Sequence, residues 1–200
     1  MPSNKTGRPY TQGITEALLQ AAERVMVTDG YSALTIDAIA TEVGTTRPTF
    51  YRRFPSIAHL ALEVIARRFE AGTTADTGSL GDDLLMIQRE DVAMYSSPLL
   101  RKNLPGLLAA TSENPALSEL LATNLLDPRR ERISVALASA IERGEIAPGS
   151  VDLNTVCDQL RGPLLARALL TPGAALDDRL ARDTAAAALA TLRTTRPLNN

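Results

Sequence analysis

Tryptophan is absent from this 200-residue chain, histidine and cysteine occur once each, and three phenylalanines and four tyrosines supply the other aromatic rings. The lone Cys157 cannot close an internal disulfide and suits a reducing compartment. With one histidine, one cysteine and no glycine-rich phosphate loop, there is neither a metal-ligand cluster nor a nucleotide cradle. The sequence therefore argues against an enzyme and predicts no catalytic residues, no cofactor and no metal. Apolar runs stay short of the roughly 18 residues a membrane span requires. The opening MPSNKTGRP also lacks the apolar core of a signal peptide. A soluble cytoplasmic protein with no membrane partner is expected. Strand signals are nearly absent, and the net charge of −2 gives the whole molecule no attraction for nucleic acid.

What the chain does have is 44% hydrophobic residues, ample for a core, and charge that is unevenly placed. Between Gly44 and Ile57 stand Arg47, Arg52 and Arg53 with no acid among them, and the N-terminal arm adds Lys5 and Arg8. A local positive face on an otherwise acidic chain is the result.

Helical periodicity runs through almost the whole sequence. Ile14, Ala17, Leu18, Ala21, Ala22, Val25 and Met26 form a one-sided stripe, with Thr11 placed to cap its start and Gly30 to end it. A short helix follows from Thr35, carrying Ile36, Ile39, Ala40 and Val43 on one side and Asp37 in its first turn. Gly44 breaks it. Thr45 or Thr46 then caps a third helix, where Pro48 is tolerated because first-turn N–H groups have no helical acceptor. Phe54-Pro55 stops that helix, and Ser56 starts a fourth reaching about Gly72.

Residues 72–81 read as a connection. Beyond them the sequence predicts helices near 82–95, 99–111 with an interruption at Pro105-Gly106, 116–126 and 128–142. A loop at 144–150 precedes two last helices, about 152–170 and 176–192, split by Thr171-Pro172-Gly173. The expected fold is all-α, about nine helices, in two domains over 1–55 and 56–200.

Residues 36–54 have the proportions of a helix-turn-helix. Close helix crossing needs a small residue, supplied by Ala40, and the turn four residues later needs positive φ, supplied by Gly44. Six residues further on, Phe50 can anchor the second helix in a shared core, with Phe54 on the same face. The opposite face carries Thr46, Arg47, Thr49, Tyr51, Arg52 and Arg53. Arginine can donate two parallel bonds to guanine, threonine can touch a thymine methyl or a phosphate, and tyrosine can reach a phosphate. Residues at the start of the second helix enter the major groove first, which places Thr45, Thr46, Arg47 and Thr49 near bases. Tyr51, Arg52 and Arg53 are better placed for the backbone.

The string from Gly44 to Ser56, GTTRPTFYRRFPS, resembles the signature of the TetR family of transcriptional regulators around its recognition helix. Gly7-Arg8-Pro9 before the first helix and Thr35-Ile36-Asp37-Ala38-Ile39-Ala40 at the second are similar to that family too, so the likeness covers about residues 7–65. The resemblance implies that Thr35, Tyr51 and Arg53 grip phosphates and that the arm around Arg8 meets backbone or minor groove. One departure stands out: Ile57 occupies a place where the family often has lysine.

The resemblance further implies a homodimeric repressor on a near-palindromic operator, released by an unknown small-molecule effector. A second copy is expected to meet Val156, Leu160, Leu164 and Leu165 on one terminal helix and Leu176, Leu180, Ala187 and Leu189 on the other. Two recognition helices in successive major grooves, ~34–36 Å apart, would give the specificity that one cannot. An effector cavity is expected among Met86, Arg89, Met94, Tyr95, Leu107, Leu108, Leu121 and Leu125, with Arg89 and Tyr95 as its polar groups and Pro105-Gly106 as a hinge. His59, on the fourth helix, is read as a surface or phosphate-side group. The pairs Asp82-Asp83 and Asp177-Asp178 are read as helix-start charges.

Overall fold

A computed structural model describes residues 9–72, 76–149, 152–171 and 173–194. Among these residues every regular element is a helix and there is no strand. The helices are α1 (Pro9–Thr28), α2 (Ile36–Val43), α3 (Arg47–Tyr51), α4 (Ile57–Arg68) and α5 (Leu80–Ser96). They continue as α6 (Pro98–Ser112), α7 (Pro115–Leu121), α8 (Asp127–Glu142), α9 (Leu153–Leu169) and α10 (Asp178–Thr194). A five-residue π turn, Ala122–Leu126, joins α7 to α8 without a gap. Arg8 lies outside the described residues.

The chain packs as two compact units. The first holds α1–α4 together with α6 from Lys102 onward and α7; the second holds residues 70–101 and everything from Ala122. In the first, Leu18, Ala21, Ala22 and Met26 of α1 are fully buried, with Ile39, Phe50, Leu60 and Ala61. The C-terminal end of α1 is capped from α6: Lys102 Nζ donates to the Val27 and Thr28 carbonyls, both at 2.8 Å, and Asn103 Nδ2 donates to Met26 O at 2.9 Å. Helix-end carbonyls have no partner within their own helix, and a cation suits that end of the dipole.

The second unit is built on Leu80, Leu84 and Ile87 of α5, Ile133, Ala136, Leu137 and Ala140 of α8, Val156 and Leu160 of α9, and Ala185, Ala188 and Leu192 of α10. Polar groups cross this core. Gln88 Nε2 donates to Leu160 O at 3.0 Å and to Thr184 Oγ1 at 2.6 Å, tying α5 to α9 and α10. Buried Arg129 donates to Asp91 at 3.1 Å, and buried Arg132 pairs with Glu90.

Several expectations need correction. Thr11 lies inside α1, which starts at Pro9, a residue suited to a first turn. The fourth helix stops at Arg68 rather than near Gly72. Pro105 does not interrupt α6. It lies on an exposed side beside exposed Arg101, so the carbonyl that loses its helical donor is left to solvent, and the helix continues to Ser112. The expected gap before Pro128 is closed by the π turn, whose wider register absorbs the missing proline N–H; Arg129 Nη1 bonds the Leu125 carbonyl there at 2.9 Å.

Val156, Leu160, Leu164 and Leu180 of the expected dimer stripes are all at most 3% exposed, inside the protomer's own core. Leu189 packs against that core, its Cδ2 3.2 Å from where a Cβ on Gly81 would stand. Leu165 and Leu176 are half-buried and Ala187 is exposed. A helical stripe read from sequence marks the face that is covered without saying by what, and here α9 and α10 pack on each other and on α5.

Candidate nucleic-acid interface

The local geometry of α2 and α3 follows from three residues. Thr35 is extended (φ −124°, ψ 147°), and its hydroxyl accepts the Ala38 N–H at 3.3 Å, opening α2. Gly44 closes α2 in the left-handed region, φ 70° and ψ 35°, and Thr45 N–H returns to Ala40 O at 2.8 Å. Thr46, not Thr45, then caps α3: its hydroxyl accepts the Thr49 N–H at 3.4 Å and donates to Thr49 Oγ1 at 3.1 Å. Pro48 falls in the first turn, as expected.

The inner face of α3 is aromatic. Phe50 is fully buried and Phe54 nearly so, their rings 5.8 Å apart, while Tyr51 meets Phe50 edge-on at 5.7 Å. Ala40 is buried where α2 passes the other helices. Tyr51 is 53% exposed, so a ring that packs on Phe50 also stays largely open to solvent.

The outer face gathers the predicted groups. Thr45, Thr46, Thr49, Arg52 and Arg53 line a groove of about 500 Å³ with Gly44 and Ile14. Arg52 Nη2 donates to Thr49 Oγ1 at 3.1 Å. Arg53 is more embedded than the sequence suggests: its Nε donates to Thr15 Oγ1 at 3.1 Å and its Nη1 to Thr49 O at 2.9 Å, linking α3 to α1. Arg47 is exposed and bonded through Nε and Nη2 to the Asp37 carboxylate, whose pKa that bond holds below its ordinary value. Arg24 ties α1 to α2 through Glu42, at 2.5 Å from Nη2. Ile57 is half-buried at the start of α4, and His59 Nδ1 lies 2.8 Å from Ser56 Oγ, within the helix cap.

Residues 18–64 match the bacterial regulatory proteins of the tetR family, and residues 74–188 match the tetracyclin repressor-like C-terminal domain, together covering most of the chain. The chain belongs to the TetR family. It is thus a helix-turn-helix DNA-binding transcriptional regulator, in a family of regulators and not of enzymes. An uncharacterized HTH-type transcriptional regulator of Mycobacterium tuberculosis is 31% identical over 166 residues, 81% of this chain and 79% of that protein. The DNA-binding transcriptional repressor TetR of Mycobacteroides abscessus is 32% identical over 169 residues, 81% of this chain and 84% of its own. Among solved structures, the TetR family transcription regulator SCO0332 superposes with a TM-score of 0.70 at 27% identity, covering 89% of this chain and 97% of that one. FadR of Bacillus subtilis, solved in complex with stearoyl-CoA, shares the fold, with a TM-score of 0.56 at 15% identity over 90% of this chain and 98% of that one.

In this TetR-family chain the expected effector residues divide between the units: Leu107, Leu108 and Leu121 lie in the first, and Met86, Arg89, Met94, Tyr95 and Leu125 in the second. Met94, Tyr95, Leu107 and Leu125 are buried, whereas Met86, Leu108 and Leu121 are half-buried. Arg89 is exposed, and its Nε donates to Asp178 Oδ1 at 2.6 Å, so it serves a surface ion pair. The buried polar groups of the second unit are instead Asp83, Gln88, Asp91, Arg129, Arg132 and Thr184, of which the sequence analysis singled out only Asp83, as a helix-start charge. A signal existed: Asp91 falls seven after Leu84 and four before Tyr95, on the buried stripe of α5. Burial raises the Asp91 pKa against the pull of Arg129, and burial next to Asp91 pushes Tyr95 up to about 12. No helix among the described residues is long and apolar enough to cross a membrane.

Proposed function

We propose that this chain is a homodimeric repressor that holds a near-palindromic operator and releases it when a small molecule binds the C-terminal body. The observation carrying the DNA half is the pairing of a fully buried Phe50 with exposed Thr46, Arg47 and Arg52 on one short helix. Thr45, Thr46, Arg47 and Thr49 read bases, while Thr35, Tyr51, Arg52 and Arg53 hold phosphates with the arm around Arg8. Arg53 does so from a position fixed by Thr15, which makes it a rigid contact at small entropic loss.

The dimer face lies on the outer sides of α9 and α10. Ala186, Ala187 and Ala190 form an exposed small-residue stripe on α10, and exposed Gly162 and Ala166 lie on α9 near half-buried Leu165 and Leu169. Such small residues let helices of a second copy approach closely. The effector is met by the buried Asp91, Tyr95 and Arg129 group in place of Arg89. That a regulator of this fold binds stearoyl-CoA supports a ligand role for the body. Within the first unit, Lys102 and Asn103 cap α1, which ties the position of α6 to that of the DNA-binding helices. An effector must favour the non-binding conformation by a few kcal/mol to release DNA effectively.

Selection of bound duplexes from a random pool tests this reading. A two-fold symmetric site with half-site centres about one helical turn apart is expected. An asymmetric site, or none at physiological salt, would remove the dimeric reading.

A further inference from the structure

Asp37 stands in the first turn of α2, where the helix dipole favours a carboxylate. Across the turn, Arg47 opens α3, and its Nε and Nη2 both donate to the two oxygens of that carboxylate. Neither side chain is fixed by packing, since they are 63% and 62% exposed, so their mutual bond sets their geometry. A guanidinium has five N–H donors in a rigid plane. The Asp37 contact uses the side-on pair and leaves the end-on donors of Nη1 and Nη2, the set that matches guanine O6 and N7.

We propose that Asp37 is a specificity-determining positioning residue, which presents Arg47 end-on to a guanine in the major groove. The inference rests on Arg47 being a base reader. In open solvent an exposed ion pair contributes little. Under a docked duplex the surrounding water is displaced, the local dielectric falls and the pair tightens. Asp37 also carries a cost of fixed sign, because its charge repels phosphates. A freed Arg47 could swing to any nearby phosphate, so removing Asp37 raises sequence-independent binding while lowering base discrimination. A carboxylate that merely masked Arg47 would act otherwise: its removal would raise specific and non-specific binding together.

The test uses the full chain as wild type, Asp37→Ala, Asp37→Asn and Arg47→Ala, each offered a random duplex pool and then single-base variants of the selected site. Wild type is expected to prefer guanine at one position per half-site, and Arg47→Ala to lose that preference. Both Asp37 variants should reduce it at the same position by at least about fivefold, leave other positions unchanged, and bind unrelated duplex at least as tightly as wild type. Matching thermal midpoints establish that the variants fold; Asp37 is exposed and leaves no cavity. If the Asp37 variants keep the full guanine preference, the positioning role is overturned while base reading by Arg47 stands. If Arg47→Ala retains every base preference, base reading fails and takes the positioning role with it.

Discussion

At Gly44 the backbone lies at φ 70°, yet no atom lies within 4 Å of where a Cβ would be. The constraint is therefore conformational and not steric. Gly44→Ala is expected to cost about 1–2 kcal/mol, and Gly44→Asn less, because asparagine tolerates the left-handed region better. Thermal unfolding reads that order, and equal losses would point to crowding. Phe50→Ala should cost roughly 3–5 kcal/mol, since a fully buried ring is removed from a packed site. Arg47→Ala, at an exposed position, should leave the thermal midpoint nearly unchanged while weakening specific DNA binding by ~1–3 kcal/mol. The residues of this site were legible in the sequence because each answers a local demand: a cap, a left-handed turn, a ring every fourth position. The Asp37–Arg47 bond and the seating of Arg53 on Thr15 were not, because they join residues 10 and 38 apart that only the fold brings together.

Between elements, Gly106 stands closest of the described glycines to a neighbour. A Cβ there would lie 2.4 Å from Tyr31 Cδ1, in the segment that follows α1. Gly106→Ala is expected to destabilise by about 1–3 kcal/mol, and Tyr31→Ala in the same chain to return part of that loss. A double-mutant cycle on thermal stability checks it; additive losses would mean the ring does not meet the helix. The sequence offered Gly106 only as half of a helix break, because Pro-Gly marks turns in general and the ring that passes over it is 75 residues away. The start of α5 has its own pH signature. Glu145 accepts the Leu80 N–H at 3.0 Å and a bond from Arg143, both of which lower its pKa in the fold. A carboxyl depressed on folding stabilises above its unfolded value and loses that contribution as pH falls through the folded one. Stability should therefore drop on acidification below about pH 4, and Glu145→Gln should flatten part of the drop. Asp91 works in the reverse direction, since burial raises its pKa and protonation then favours the folded state.

For the molecule as a whole, helical class and the order of elements could be read from periodicity, but the fate of each covered stripe could not. Leu160 and Leu164 carry the same signal whether a neighbouring helix or a second copy covers them. Exposed Ala186, Ala187 and Ala190 make the opposite statement, and Ala187→Glu is expected to shift light-scattering mass from dimer toward monomer. An unchanged mass would move the interface elsewhere, with exposed Val135 and Ile141 of α8 the next face to probe. The account as a whole depends on the outer face of α3 meeting DNA. Amide hydrogen exchange of the full chain, with and without the selected duplex, tests that most directly. Slowed exchange concentrated between residues 35 and 54 is predicted; unchanged exchange there, with protection confined to α5 through α10, would contradict it.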